Sequence, residues 1–207
     1  MTGKGRTLGI SLLPALLWIL IQCAVVLGFP PVMSGIGNIL SLLGVDTGEF
    51  YGFLEKNGSY CIYILMDVIM LIPAVLWFRR FPVRREKKEG RFFGISFRGI
   101  LLLLLAGLCL QLLSNLFLTL VFGIFPELME SYSQVLENLG MDSPTVLSLA
   151  YTVLVAPVTE ELIFRGLTLR ILEGAFPFWA ANILQALYFG IIHGNLVQGG
   201  YAFLAGM

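Results

Sequence analysis

Residues 155–166 read VAPVTEELIFRG and place two adjacent carboxylates, Glu160 and Glu161, beside the cation of Arg165 in a mostly apolar part of the chain. The surrounding residues predict a helix that crosses a membrane and carries these charges within it. A charged side chain at the centre of a bilayer costs roughly 2.5–3.5 kcal/mol even on insertion scales, so such residues are usually paired, face the protein interior and have a function. This stretch therefore predicts both a membrane fold and a candidate site.

The composition agrees with a membrane protein. Of the 207 residues, 57% are hydrophobic and only 13% are charged, and the mean hydropathy is +0.88, whereas soluble domains carry about 25% charged residues. The lipid bilayer is therefore the first expected partner. No nucleic-acid motif stands out, so nucleic acid is not expected as a partner. The three cysteines lie in apolar spans and suggest no disulfide framework.

Apolar runs predict an all-α fold, a polytopic transmembrane helical bundle with five complete spans and a partial sixth. The five expected spans cover residues 8–29, 60–78, 100–125, 144–173 and 177–193. Residues 197–207 begin a sixth that would be about 16 Å long, too short for a hydrocarbon core of about 30 Å. The sequence is therefore expected to stop within a span. A cleaved signal peptide is an alternative for the first run, but that run is long for one and lacks a convincing cleavage site.

The loops predict the orientation. Residues 79–91 contain seven Lys and Arg residues against two Glu, whereas residues 126–143 contain four acidic residues and no Lys or Arg. Cytoplasmic loops carry an excess of Lys and Arg, so the basic loop and the N-terminus are expected inside. The basic loop could also bind anionic lipid. The loop expected at residues 30–59 and the acidic loop would lie outside.

Helix geometry predicts that Glu160 and His193 lie at nearly the same depth. If the fourth helix continues to Glu173, Glu160 lies about 20 Å before the turn. His193 lies about 24 Å along the returning helix, counted from Pro177. Two antiparallel helices would thus bring a carboxylate and an imidazole together, and this pair can take a proton from water or bind a divalent metal.

The other charges have different expected roles. Glu161 and Arg165 are i, i+4 neighbours that can neutralise each other, and Glu160 is rotated by about 100° from Glu161. One carboxylate is then paired and one is available for chemistry. A buried polar network that only holds helices together is the alternative for these charges and His193. Asp67, inside the second span, fits a functional acid or an interhelical hydrogen-bonding group.

Two short motifs resemble those of the CPBP family of intramembrane proteases, which includes type II CAAX prenyl endopeptidases and bacterial Abi proteins linked to bacteriocin immunity or processing. The first motif is Glu-Glu-x-x-x-Arg and the second is Phe-x-x-x-His. The matching residues are Glu160, Glu161, Arg165, Phe189 and His193. The resemblance covers about residues 145–207.

This resemblance implies an intramembrane endopeptidase in which Glu160, helped by His193, activates the water that cuts a membrane-associated peptide or protein. Glu161 and Arg165 would keep the helix in shape at this catalytic site. The family is called a metalloprotease family, so Glu160 and His193 are also candidate ligands of a divalent metal such as Zn²⁺, while a glutamate mechanism without metal is an equal contender. The implied location is the cytoplasmic membrane of a prokaryote, with the N-terminus cytoplasmic.

The sequence departs from the family in one respect. The family has a third motif downstream, a second His followed four residues later by Asn or a similar residue, whereas His193 is the only histidine here. We therefore expect a C-terminally truncated member, with N-terminal transmembrane helices and loops in residues 1–143 and a catalytic core in residues 144–207. The alternative function is a catalytically inactive binding or bacteriocin-immunity protein of the same fold.

Overall fold

The computed structural model describes residues 3–80, 96–138 and 144–207, and every regular element in these ranges is helical. The all-α prediction is confirmed. Seven helices lie in the described ranges, and α1 has a break at Leu12. They are α1 (Gly3–Leu42), α2 (Gly48–Arg80), α3 (Phe97–Ile124), α4 (Pro126–Asn138), α5 (Val146–Glu173), α6 (Phe178–Ile192) and α7 (Leu196–Gly206).

Four of these helices, α1, α2, α3 and α5, are long and apolar enough to cross a membrane. The fifth expected span is helical in α6, but its 15 residues give about 22 Å of helix, less than a hydrocarbon core of about 30 Å. Helix α7 has 11 residues. By length, the described part of the chain therefore holds four spans and two shorter apolar helices, and it has the character of an integral membrane protein.

Two expected loops are largely helical. Helix α1 continues through Pro30 and Pro31 to Leu42, so the predicted loop at residues 30–59 shrinks to a turn between α1 and α2. In lipid, an apolar segment must form the hydrogen bonds of its backbone groups internally, and a helix does so. This requirement favours continuation of the helix past proline. The acidic loop contains α4, with Pro126 at its first position, where proline suits a helix. The basic loop beyond Arg80 and the expected boundary at 143/144 lie outside the described residues.

The core forms where α1, α2 and α5 meet. Its buried residues are Trp18, Met70, Ala74, Ile163, Phe164 and Leu167, and side chains of α6 pack against them. Phe164 stacks edge-on against Trp18, with ring centroids 6.2 Å apart, and lies 4.9 Å from Phe189 of α6. This packing fixes the part of α5 that carries the adjacent glutamates.

Helices α6 and α7 form a tight hairpin. Gly194 adopts a positive φ of 68° in the turn, a conformation that glycine reaches without strain. The Asn195 side chain then begins α7 by accepting hydrogen bonds from the backbone N–H groups of Val197 and Gln198. A Cβ added at Gly190 would lie 2.7 Å from the carbonyl oxygen of Gly199. The two backbones therefore touch directly, which small residues permit in membrane helix pairs.

Substituting Gly190→Ala should destabilise the bundle because the new Cβ would meet a backbone oxygen that cannot rotate away. We expect a loss of about 1–3 kcal/mol in the free energy of unfolding, the usual effect of overpacking. Detergent-induced unfolding followed by circular dichroism measures it. Gly107→Ala is the matched control, since nothing lies within 4 Å of a Cβ there. Equal stability of the two variants would contradict the close approach of α6 and α7.

Candidate active site

Glu160 and His193 line the same cavity, which has a volume of about 490 Å³. Six of the described helices contribute to its wall, and α5 and the α6–α7 turn supply the two titratable groups. The structure thus brings the carboxylate and the imidazole into one space, as the depth estimate anticipates. Their chemical roles stay predictions.

The rest of the wall is polar for a membrane protein. Aromatic hydroxyls and side-chain amides line the cavity beside apolar groups, so it offers hydrogen-bond partners to water. These residues are Tyr60, Tyr63, Tyr151, Tyr201, Gln22 and Gln198, together with Trp18 and Thr152. Nothing in the sequence marks them as site residues, because tyrosine and glutamine in a span also occur at membrane interfaces and at helix contacts.

His193 directly follows the last residue of α6, and its position is set by Phe189 one turn earlier. Its Nδ1 lies 2.7 Å from the Phe189 carbonyl oxygen. A carbonyl oxygen only accepts, so Nδ1 carries the proton in this contact, and in the neutral ring Nε2 keeps its lone pair. The imidazole also packs edge-on against the Phe189 ring, with centroids 4.9 Å apart. Both residues of the Phe-x-x-x-His motif therefore act together: Phe189 orients the histidine.

Glu161 and Arg165 form the expected ion pair, with Arg165 Nη1 2.5 Å from Glu161 Oε2. Arg165 Nη2 also donates to the Ala205 carbonyl oxygen at 3.0 Å, which links α5 to α7. Neither residue lines the cavity that contains His193. They border a second cavity of about 190 Å³, which Glu160 borders as well. One of the two adjacent carboxylates is therefore paired with Arg165, and the other lines the cavity that also contains His193.

Two buried amide side chains of α6, those of Asn182 and Gln185, bond to α7. Asn182 Nδ2 donates to the Met207 carbonyl oxygen at 2.5 Å, and Gln185 Nε2 donates to that of Gly206 at 2.6 Å. These two hydrogen bonds join α6 to α7, so they stabilise the hairpin.

The donor set does not match a catalytic zinc site. Such sites usually have three protein ligands and an open position. Within residues 3–80, 96–138 and 144–207, no group of three or more His, Cys, Asp and Glu side chains is arranged to hold a metal ion. Glu160 and His193 provide two donors, so no step of the chemistry below passes through a metal.

A comparison with family models finds one match, over residues 142–207. The family is that of the Rce1-like type II CAAX prenyl endopeptidases. The Rce1-like segment contains both motifs and covers 66 of the 207 residues, and it confirms the resemblance to CPBP proteases. No curated protein and no solved structure matches the chain.

Paired cysteines can test whether the two candidate residues share a cavity. In a protein whose native cysteines are replaced by alanine, Glu160→Cys combined with His193→Cys should be cross-linked by a short bifunctional thiol reagent. Glu161→Cys with His193→Cys is the control, because Glu161 does not line the cavity that Glu160 and His193 share. Intact mass measurement reports the cross-link. Cross-linking of the control pair alone would contradict the geometry.

Proposed function

We propose that the protein is a CAAX-type intramembrane endopeptidase that hydrolyses a membrane-associated peptide or protein with water activated by Glu160 and His193. The shared cavity is the observation that carries this proposal. It combines a carboxylate, an imidazole and hydrogen-bonding groups within a bundle of apolar helices. The match of residues 142–207 to Rce1-like endopeptidases supports the same class of reaction.

In the proposed reaction, the Glu160 carboxylate takes a proton from water as the water oxygen attacks the scissile carbonyl carbon. The new C–O bond gives a tetrahedral intermediate, and breaking the C–N bond with transfer of the proton to the leaving amine gives two peptides. Proton transfer by a positioned group is worth about 10²–10⁴ in rate. His193 Nε2 can accept a hydrogen bond from the same water. The Gln198 amide and the hydroxyls of Tyr63 and Tyr201 line the same cavity and are the candidate donors to the oxyanion.

The proposed membrane is the cytoplasmic membrane of a prokaryote, with the N-terminus on the cytoplasmic side. Basic residues meet at one end of the bundle, which supports this orientation. Lys4 lies 5.9 Å from the ring centroid of Phe176, and Arg170 lies 4.3 Å from that of Phe78, next to Arg79. The positive-inside rule then places this end in the cytoplasm.

Substituting Glu160→Gln should lower hydrolysis by about 10²–10⁴-fold, because the amide is nearly isosteric but cannot take the proton. The assay uses the full chain in liposomes and a fluorogenic peptide ending in a CAAX sequence, with and without a farnesyl group. His193→Ala should also lower the rate. The exposed Glu173→Gln is the matched control, since Glu173 lies outside the cavity.

Several outcomes separate this proposal from its alternatives. Activity that survives a strong chelator supports the metal-free route. Full activity of Glu160→Gln would overturn the proposal. A wild-type protein that binds the peptides without cutting them would instead indicate the inactive binding or immunity protein.

A further inference from the structure

Asp67 lies in the middle of α2 and is fully buried. One of its carboxylate oxygens, Oδ1, accepts a hydrogen bond from Trp18 Nε1 at 3.0 Å. This bond joins α1 to α2, so one oxygen acts as the interhelical hydrogen-bonding group expected from the sequence. A carboxylate has two oxygens, however, and an amide or a hydroxyl would suffice for this bond alone.

The second oxygen has a different environment. Oδ2 is buried without a hydrogen bond of normal geometry within the described parts of the chain. A buried polar atom in this state is costly and calls for an explanation. The Tyr151 side chain lies within interaction distance of both the Asp67 and the Glu160 carboxylates. The two carboxylates also interact with each other.

Asp67 lies next to residues that line the cavity, but it does not line the cavity itself. Trp18 and Tyr151 line the cavity together with Glu160, whereas Asp67 is not among the lining residues. Its carboxylate can therefore influence the site through these two side chains. Trp18 carries a single N–H donor, already used for Oδ1. Besides the direct electrostatic interaction of the two carboxylates, Tyr151 is the remaining route for a hydrogen bond between Asp67 and the cavity.

We propose that Asp67 is a positioning residue that fixes the direction of the Tyr151 hydroxyl and thereby orients the water that Glu160 activates. A tyrosine hydroxyl has one proton to donate and lone pairs that accept. When Asp67 Oδ2 accepts this proton, the Tyr151 oxygen presents a lone pair to the cavity. A water that donates one proton to Glu160 and shares the other between the Tyr151 oxygen and His193 Nε2, in a three-centre hydrogen bond, is held by all three groups, with its own lone pair directed at the substrate. This inference rests on the proposed function.

The substitution Asp67→Asn tests the direction of the proposed hydrogen bond from the Tyr151 hydroxyl to residue 67. Its carbonyl oxygen can still accept from Trp18, but its NH₂ group would face Tyr151 as a donor and reverse the hydroxyl. We expect kcat to fall by about 10–100-fold, as for the loss of a hydrogen bond to a charged group, with KM changed less than about twofold. Asp46→Asn, in the exposed turn after α1, is the matched control.

A double-mutant cycle separates this role from a structural one. Tyr151→Phe should lower kcat similarly, and the double variant should be no slower than Tyr151→Phe, because both changes act through one hydroxyl. Unfolding measurements on the same variants report stability. The proposal would be overturned if the losses of kcat in the two single variants multiplied in the double variant. A normal kcat in Asp67→Asn would also overturn it.

A second measurement does not need activity. When Trp77 and Trp179 are replaced by phenylalanine, Trp18 is the remaining tryptophan. Its fluorescence emission reports on Asp67, because the two side chains are hydrogen-bonded. Glu160→Gln should shift this emission when Tyr151 is present and shift it clearly less in Tyr151→Phe, where only the direct interaction of the two carboxylates remains. Equal shifts in both proteins, or none in either, would refute the connection through Tyr151. If the wild type cuts no peptide, the proposed function fails, and this emission result alone decides the role of Asp67.

Discussion

A carboxylate inside a bilayer needs water or a polar partner, because exposure to hydrocarbon costs it several kcal/mol. The bundle meets this constraint in two ways. Glu161 is neutralised by Arg165, which also binds a backbone carbonyl of α7. Glu160 instead faces a cavity with hydroxyls, amides and His193 in its wall. The difference between two neighbouring residues of one helix, one paired and one facing polar space, is the basis of the proposed chemistry.

The shape of α5 brings the cavity residues together. Nine residues separate Tyr151 from Glu160, and at 100° per residue a regular α-helix would place them on opposite faces. Both nevertheless line the same cavity. A π-helical segment at Tyr151–Val155 lies between them, with the Ala156 N–H bonded to the Tyr151 carbonyl. Such segments turn less per residue and often occur at functional sites. Pro157 lacks the N–H for a regular bond, which favours this change in the ladder.

Much of the fold could be predicted from the sequence, because apolar runs of sufficient length indicate membrane helices. The rise per residue and the predicted turn placed Glu160 and His193 at a similar depth, and the two residues line one cavity. The continuation of α1 past Pro30 and Pro31 could not be predicted, since proline is a helix breaker in water but is tolerated in apolar helices. The cavity tyrosines were also missed. The position of Tyr151 depends on the π segment, because a period of 3.6 residues places it on the wrong face of α5.

Access of water to Glu160 is the most direct test of the account, and a single substituted cysteine can measure it. Glu160→Cys, in native membranes and without other cysteines, should react with a polar, charged thiol reagent. Leu187→Cys is the comparison, because Leu187 is exposed on the outer side of α6, where lipid would cover it. The account predicts rapid labelling at position 160 and little at position 187. An unreactive cysteine at position 160 would contradict a water-filled site and, with it, the proposed hydrolysis.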